Sequence, residues 1–180
     1  MIFLLGWGLG PRRGEIFGLR WFRIDLAADK PTSTIEETWT AYAPDTPKSD
    51  ESYRTLELPG KLIQELRRHR LWSAYSLDGE YVVPNPRTGR PIDPHIHYDC
   101  YRLACAKAGV KPAKRPLHDL RHAYATHAAA TANAWSVKKR MGHASLQTTE
   151  KYVNLARETF SDDVAALEER QFGTAAASAT

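Results

Sequence analysis

Cysteine is scarce in this chain of 180 residues, which has two, Cys100 and Cys105. Two thiols cannot build a disulfide framework or a four-cysteine zinc site, and their spacing on one helix does not favour bridging to each other. A reducing, cytosolic setting follows. Long apolar runs are missing as well. Residues 1–9 are apolar, but a membrane span needs about twenty such residues. They also lack the basic flank and small-residue cleavage site of a signal peptide. A large excess of one charge is absent too: 25 Lys and Arg stand against 21 Asp and Glu, a net charge of +4. That balance is compatible with a polyanionic partner without requiring one. There is no internal repeat, and no cluster of acidic residues.

Hydrophobic residues make up 42% and charged residues 26%, values close to those of ordinary globular domains, which excludes disordered, collagen-like and coiled-coil classes. The length suits one domain. Charge is unevenly placed: residues 107–122 hold five basic side chains and one acidic one, whereas residues 150–180 hold three basic and six acidic. An apolar start reads as the buried end of a helix, and implies that a segment upstream is removed or not encoded.

Hydrophobic spacing predicts a mainly helical α+β domain with one small three-stranded antiparallel sheet near the N-terminus. Helices are expected over residues 2–9, 12–21, 61–71, 95–108, 118–130, 137–141 and 146–155, with a last amphipathic helix over 159–170. Strands are expected at 24–26, 34–42 and 53–58, since these are rich in Thr, Ile, Trp and Tyr. Residues 43–52, with two prolines, read as a polar loop carrying Lys48, and residues 78–94, rich in Gly and Pro, as a surface loop. Thr148 and Thr149 are candidate helix caps. The small-residue tail at 173–180 reads as disordered, leaving 1–172 as the domain.

Several polar segments carry groups suited to phosphate chemistry: GPRRGE with Arg12 and Glu15, the loop with Lys48, HDLRH with His118 and Arg121, GH with His143, and TTEKY with Tyr152. Taken singly, each has a plain reading as a solvated or packing residue. His118 and Arg121, three apart, lie on one helical face.

In combination, GPRRGEIFGLRW followed by IDL, then LHDLRHAYATH, then MGHASLQTTEKY, resembles the catalytic domain of the tyrosine recombinases, the phage integrase family. His143 and Tyr152 stand nine residues apart, the spacing that family uses between its second histidine and its nucleophile. The likeness covers about residues 1–160. Lys48, ahead of SYRTLELP, is the lysine that fits. The resemblance implies a site-specific DNA recombinase that cleaves and rejoins strands through a 3′-phosphotyrosine. It implies Tyr152 as nucleophile, Arg12, Arg121 and His143 as donors to the scissile phosphate, His118 as general base and Lys48 as general acid. Glu15 is positioned to orient Arg12. Double-stranded DNA is the implied partner, with a homotetramer on DNA in the full-length enzyme, and no membrane, metal or nucleotide cofactor is implied. The stripe Phe160, Val164 and Leu167 is expected to pack on a neighbouring protomer or on its own domain.

This chemistry is physically coherent. Attack on a phosphodiester builds charge on the nonbridging oxygens, which fixed donors stabilise. Guanidinium suits that task because it stays charged and can donate two parallel hydrogen bonds. A phenol with an ordinary pKa of about 10 is ionised about once in a thousand near neutral pH, a deficit of roughly 4 kcal/mol that a base must offset.

Three other readings fit some of these residues. His118 and His122, four apart with Asp119 between them, superficially mimic a helical zinc motif, but Arg121 would put a fixed positive charge beside the metal. A non-catalytic DNA-binding fragment is the second, because the family's N-terminal core-binding domain, the other half of its DNA clamp, has no room ahead of Ile2. A type IB topoisomerase shares the chemistry, but the spacing from His143 to Tyr152 and the compact size favour the recombinase. His69, His95, His97 and His127 are expected in solvated or packing roles.

Overall fold

The computed structural model of the chain describes residues 1–40, 43–45 and 53–159. Lys48, the stripe of Phe160, Val164 and Leu167, most of the helix expected over 159–170 and the tail at 173–180 lie outside these residues.

Seven α-helices are described: α1 (Ile2–Leu9), α2 (Arg13–Gly18), α3 (Gly60–Trp72), α4 (Pro94–Lys107), α5 (Pro116–Thr131), α6 (Ala134–Met141) and α7 (Leu146–Thr159). Strands β1 (Ile24–Asp25), β2 (Thr32–Ile35) and β5 (Arg54–Glu57) form a three-stranded antiparallel sheet in the order β1-β2-β5, with Ile24 opposite Ser33 and Ile35 opposite Arg54. The main expectation, a mostly helical α+β domain with a small antiparallel sheet, matches this architecture.

Details differ from the sequence expectations for identifiable reasons. The predicted strand over 34–42 is two strands. Its second part, β3 (Thr38–Thr40), leaves the sheet and pairs with β4 (Ala43–Asp45), which falls in the segment expected to be a loop. Pro44 stands opposite Trp39 in this two-stranded ribbon, and proline is found in sheets mainly on edge strands, where its missing donor matters least. The helix expected over 12–21 ends at Gly18: Leu19 is extended, and Trp21–Arg23 form a 3-10 turn. Leu19 ends there because its carbonyl accepts the amide of Val82, drawing residues 81–83 into the core. The segment over 78–94 is therefore only partly a surface loop, with Val82 and Val83 buried. Ser145, not Thr148 or Thr149, accepts at the start of α7, through the amide of Thr148.

Among the described residues, two apolar clusters form the core. The larger joins Leu5 and Leu9 of α1, Ile16 and Phe17 of α2, Trp21, Ile35 and Leu56 of the sheet region, Leu62 and Leu66 of α3, Val82 and Leu117. The smaller joins Ala125 of α5, Val137 and Met141 of α6 and Tyr152 of α7. Helix α5 packs against α1, α6 and α7, so its polar face is fixed between the clusters. No described helix is long and apolar enough to cross a membrane. His69 bonds the Val82 carbonyl at 2.7 Å and leans on Trp21, and His97 is buried against Phe3 and Phe17, both packing roles.

Candidate active site

The last turn of α6 leaves backbone carbonyls without helical donors, and the negative end of the helix dipole gathers there. Three arginines from distant segments meet them. Arg54 Nε donates to the Arg140 carbonyl at 2.8 Å, Arg121 Nη2 to that of Met141 at 2.7 Å, and Arg12 Nη2 to that of Gly142 at 2.8 Å. Gly142 closes α6 in the left-handed region, with φ 60°. Gly10 closes α1 in the same way, at φ 66°, and its carbonyl accepts Arg121 Nη1 at 2.7 Å. A Cβ on Gly10 would stand 2.2 Å from the Tyr124 ring, so both its conformation and its packing require glycine.

Glu15 ties the arginines together. Buried at 3% exposure, its carboxylate accepts the Arg12 amide at 2.6 Å, Arg12 Nη1 at 3.0 Å, and Arg54 Nη1 and Nη2 at 3.1 and 2.8 Å. Burial alone would raise its pKa, but the Arg54 fork and charge, with help from Arg12 and Arg121, hold it below the ordinary carboxylate value. Burial lowers Arg121 to about 10, with Glu15 opposing the shift and Arg12 and Arg54 adding to it, so the guanidinium remains charged at neutral pH. Each guanidinium has five N–H donors, and Arg12 and Arg121 keep donors beyond those used here. Their anchors orient the side chains without exhausting them.

The histidines and the phenol form a second group, within electrostatic reach of Arg121. Tyr152 Oη lies 2.8 Å from His122 Nδ1, and His122 Nε2 lies 2.6 Å from His118 Nε2. His118 and His122 sit one turn apart on α5 with rings nearly perpendicular. The His143 ring lies nearly parallel to that of Tyr152, at 17° and 5.8 Å between centroids. Its Nδ1 is 3.0 Å from the hydroxyl of Thr149, which is fully buried. Burial, then Arg121, Arg12 and Arg54, lower His143 to about 4, so it is a neutral imidazole near pH 7. Burial also lowers His122, assisted by His118 and opposed by Asp119. For Tyr152, burial raises the phenol above its ordinary value against the pull of Arg121, so its ionisation deficit is larger than in water.

An open cleft of about 480 Å³ adjoins this cluster, lined by Tyr53, Arg54, Trp135, Ser136, Lys138, Lys139 and His143. Among the described residues no group of three or more His, Cys, Asp or Glu side chains gathers as a metal site.

Arg12, Glu15, Arg121, His143 and Tyr152 thus converge, with His118 one residue further from the phenol than the sequence expectation of a direct base requires. His122 stands between them. The sequence reading does not single out Arg54, His122 or Thr149 as site residues. Arg54 could be found from strand alternation, because it shares the inward face of β5 with Leu56. His122 shares a helical face with His118 four residues earlier.

Known proteins resemble this chain in sequence and in fold. Residues 1–159 match the family model described as the phage integrase family. A tyrosine recombinase XerC-like protein of Caldanaerobacter subterraneus is 32% identical over 147 residues, covering 69% of this chain and 37% of that protein. Tyrosine recombinase XerD of Rhizobium meliloti is 26% identical over 117 residues, covering 64% of this chain and 35% of its own length. The chain therefore spans about a third of the length of these relatives. The Tn1549 transposon integrase, solved in complex with circular intermediate DNA, superposes with a TM-score of 0.71 over 93% of this chain and 58% of that one, at 22% identity. XerA recombinase does so with a TM-score of 0.66 over 88% and 54%, also at 22% identity. On the family match over most of its length, with the fold in agreement, the chain belongs to the phage integrase family.

Proposed function

We propose that these residues are the catalytic domain, over 1–172, of a site-specific DNA recombinase that cleaves and rejoins strands through a 3′-phosphotyrosine. The observation that carries the reading is the placement of the Tyr152 hydroxyl: hydrogen-bonded to an imidazole at 2.8 Å and flanked by the ring of His143, on a domain where two anchored arginines converge. A nucleophile, a proton acceptor and fixed cations are the groups that in-line attack on a phosphodiester needs.

In this mechanism Arg12 and Arg121 bind the nonbridging oxygens and offset the charge that develops on them. Thr149 donates to His143 Nδ1, which leaves Nε2–H free to donate to the phosphate. That role suits a ring whose pKa is held near 4, because the neutral tautomer has one donor to place. Glu15 holds Arg12 and, with Arg54, fixes the height of the α6 terminus. The 5′-oxygen leaves with a proton from Lys48. Bond energy is kept in the phosphotyrosine, and attack by a second strand's 5′-hydroxyl reseals the DNA. Double-stranded DNA is the substrate, a homotetramer on DNA is the working assembly of the full-length enzyme, and the cytoplasm is its compartment.

A nicked suicide duplex, from which the cleaved 5′-end diffuses away, tests the reading. Wild type accumulates a covalent protein–DNA adduct and Tyr152→Phe does not. No adduct from wild type at low salt and high protein concentration favours the non-catalytic DNA-binding fragment.

A further inference from the structure

The phenol must lose a proton, and its local environment makes that harder than in water. The expected base, His118, does not receive the hydrogen bond from Tyr152. Instead a continuous chain runs from Tyr152 Oη to His122 Nδ1 at 2.8 Å, and from His122 Nε2 to His118 Nε2 at 2.6 Å. An imidazole whose two nitrogens are bonded to different partners can accept at one as it donates at the other. His122 is held by position as much as by choice of residue: α5 fixes it one turn from His118, and α7, packed on α5, brings Tyr152 to its other edge. His118 is exposed to solvent, so the far end of the chain can exchange protons with water.

We propose that His122 is a catalytic residue that relays the Tyr152 proton to His118. This rests on the strand-transfer reading. As the Tyr152 oxygen bonds to phosphorus, its O–H bond breaks and the proton goes to His122 Nδ1. The proton on His122 Nε2 passes to His118 Nε2, leaving His118 as imidazolium and His122 neutral in its other tautomer. The bond from phosphorus to the 5′-oxygen breaks, and that oxygen takes its proton from the acid assigned to Lys48. Rejoining runs the same transfers in reverse. The neutral state that this requires of His122 agrees with its lowered pKa, set by burial and by the neighbouring His118.

Single-turnover adduct formation on the suicide duplex tests the relay with His122→Ala, His122→Asn, His118→Ala and the double variant His118→Ala/His122→Ala. Asparagine can keep a hydrogen-bond acceptor near the Nδ1 position but cannot pass a proton. The relay therefore predicts that both His122 variants slow adduct formation about 10²- to 10⁴-fold, the ordinary worth of a positioned base. His118→Ala falls in the same range, and the double variant is no slower than the worse single one. Placing a fluorinated tyrosine of near-neutral pKa at position 152 restores most of the rate to His122→Ala. A substrate with sulfur as the 5′-bridging atom, which needs no acid to leave, does not. Wild-type rates in His122→Ala, full activity in His122→Asn, multiplicative losses in the double variant, or no rescue by the fluorinated tyrosine would each overturn the relay. Absence of adduct from wild type would instead overturn the strand-transfer reading beneath it.

Discussion

Replacing Arg54 with leucine removes one partner of a buried ion pair while leaving Glu15 in place. The two side chains are 2% and 3% exposed, and the shortest contact is 2.8 Å. Breaking such a pair from one side costs about 3–5 kcal/mol, because the remaining charge keeps its desolvation penalty without its partner. Arg12 continues to donate to Glu15 through its amide and guanidinium, which puts the expected loss toward the lower end of that range. For a domain of this size that corresponds to a fall in Tm of roughly 6–20 °C. The pH dependence identifies the cause. In the wild type the Glu15 pKa is lowered, so its stabilisation is present above the unfolded carboxylate value of about 4.3 and lost as pH falls through the folded value. Without Arg54, burial dominates and raises the folded pKa, so the variant's penalty is largest at neutral pH. It shrinks as acidification protonates Glu15. Urea unfolding of both proteins between pH 7.5 and pH 4 measures the gap directly. A gap below about 1 kcal/mol, or one independent of pH, would refute the claim that Arg54 neutralises a buried Glu15.

Gly10→Ala should destabilise the domain by about 1–3 kcal/mol through the left-handed backbone alone, with more from the 2.2 Å approach to Tyr124, and thermal melts check it. The same change should also slow adduct formation, since the Gly10 carbonyl anchors Arg121. His143, lowered to about 4 mainly by burial, binds fewer protons folded than unfolded below the ordinary imidazole pKa of about 6.5, so stability rises with pH through that window. Substituting His143 with Phe should flatten this part of the stability profile, as pH-dependent unfolding would show. Lys138→Ala and Lys139→Ala, in the cleft beside His143, should each lower the slope of log affinity for DNA against log salt by about 0.9 if each neutralises one phosphate, which fluorescence anisotropy titrations measure.

Much of this site is legible in the sequence because it is written in short spacings. His118 and Arg121 share a helical turn, and Tyr152 follows His143 by a fixed interval. The parts that are not legible arise from contacts between distant segments. Arg54 reads as an ordinary strand residue until Glu15, 39 residues earlier, is seen against it. Thr149 reads as a cap because threonine favours that role, whereas tertiary packing buries it under His143. His122 reads as half of a metal motif, and only the approach of α7 shows its second partner to be a phenol. The end of α2 is set in the same way: Leu19 leaves the helix to bond Val82, a partner that local propensity does not contain. Pairing of β3 with β4 likewise depends on a ribbon that composition describes as loop.

Peptide mapping of the trapped adduct locates the covalent bond proposed between Tyr152 and DNA. Trypsin cleaves after Lys151 and Arg157, so the nucleotide should be found on the peptide YVNLAR, through its tyrosine and a 3′-phosphate. An adduct on any other residue, or a trapped complex that dissociates on denaturation, would rule out Tyr152 as the nucleophile.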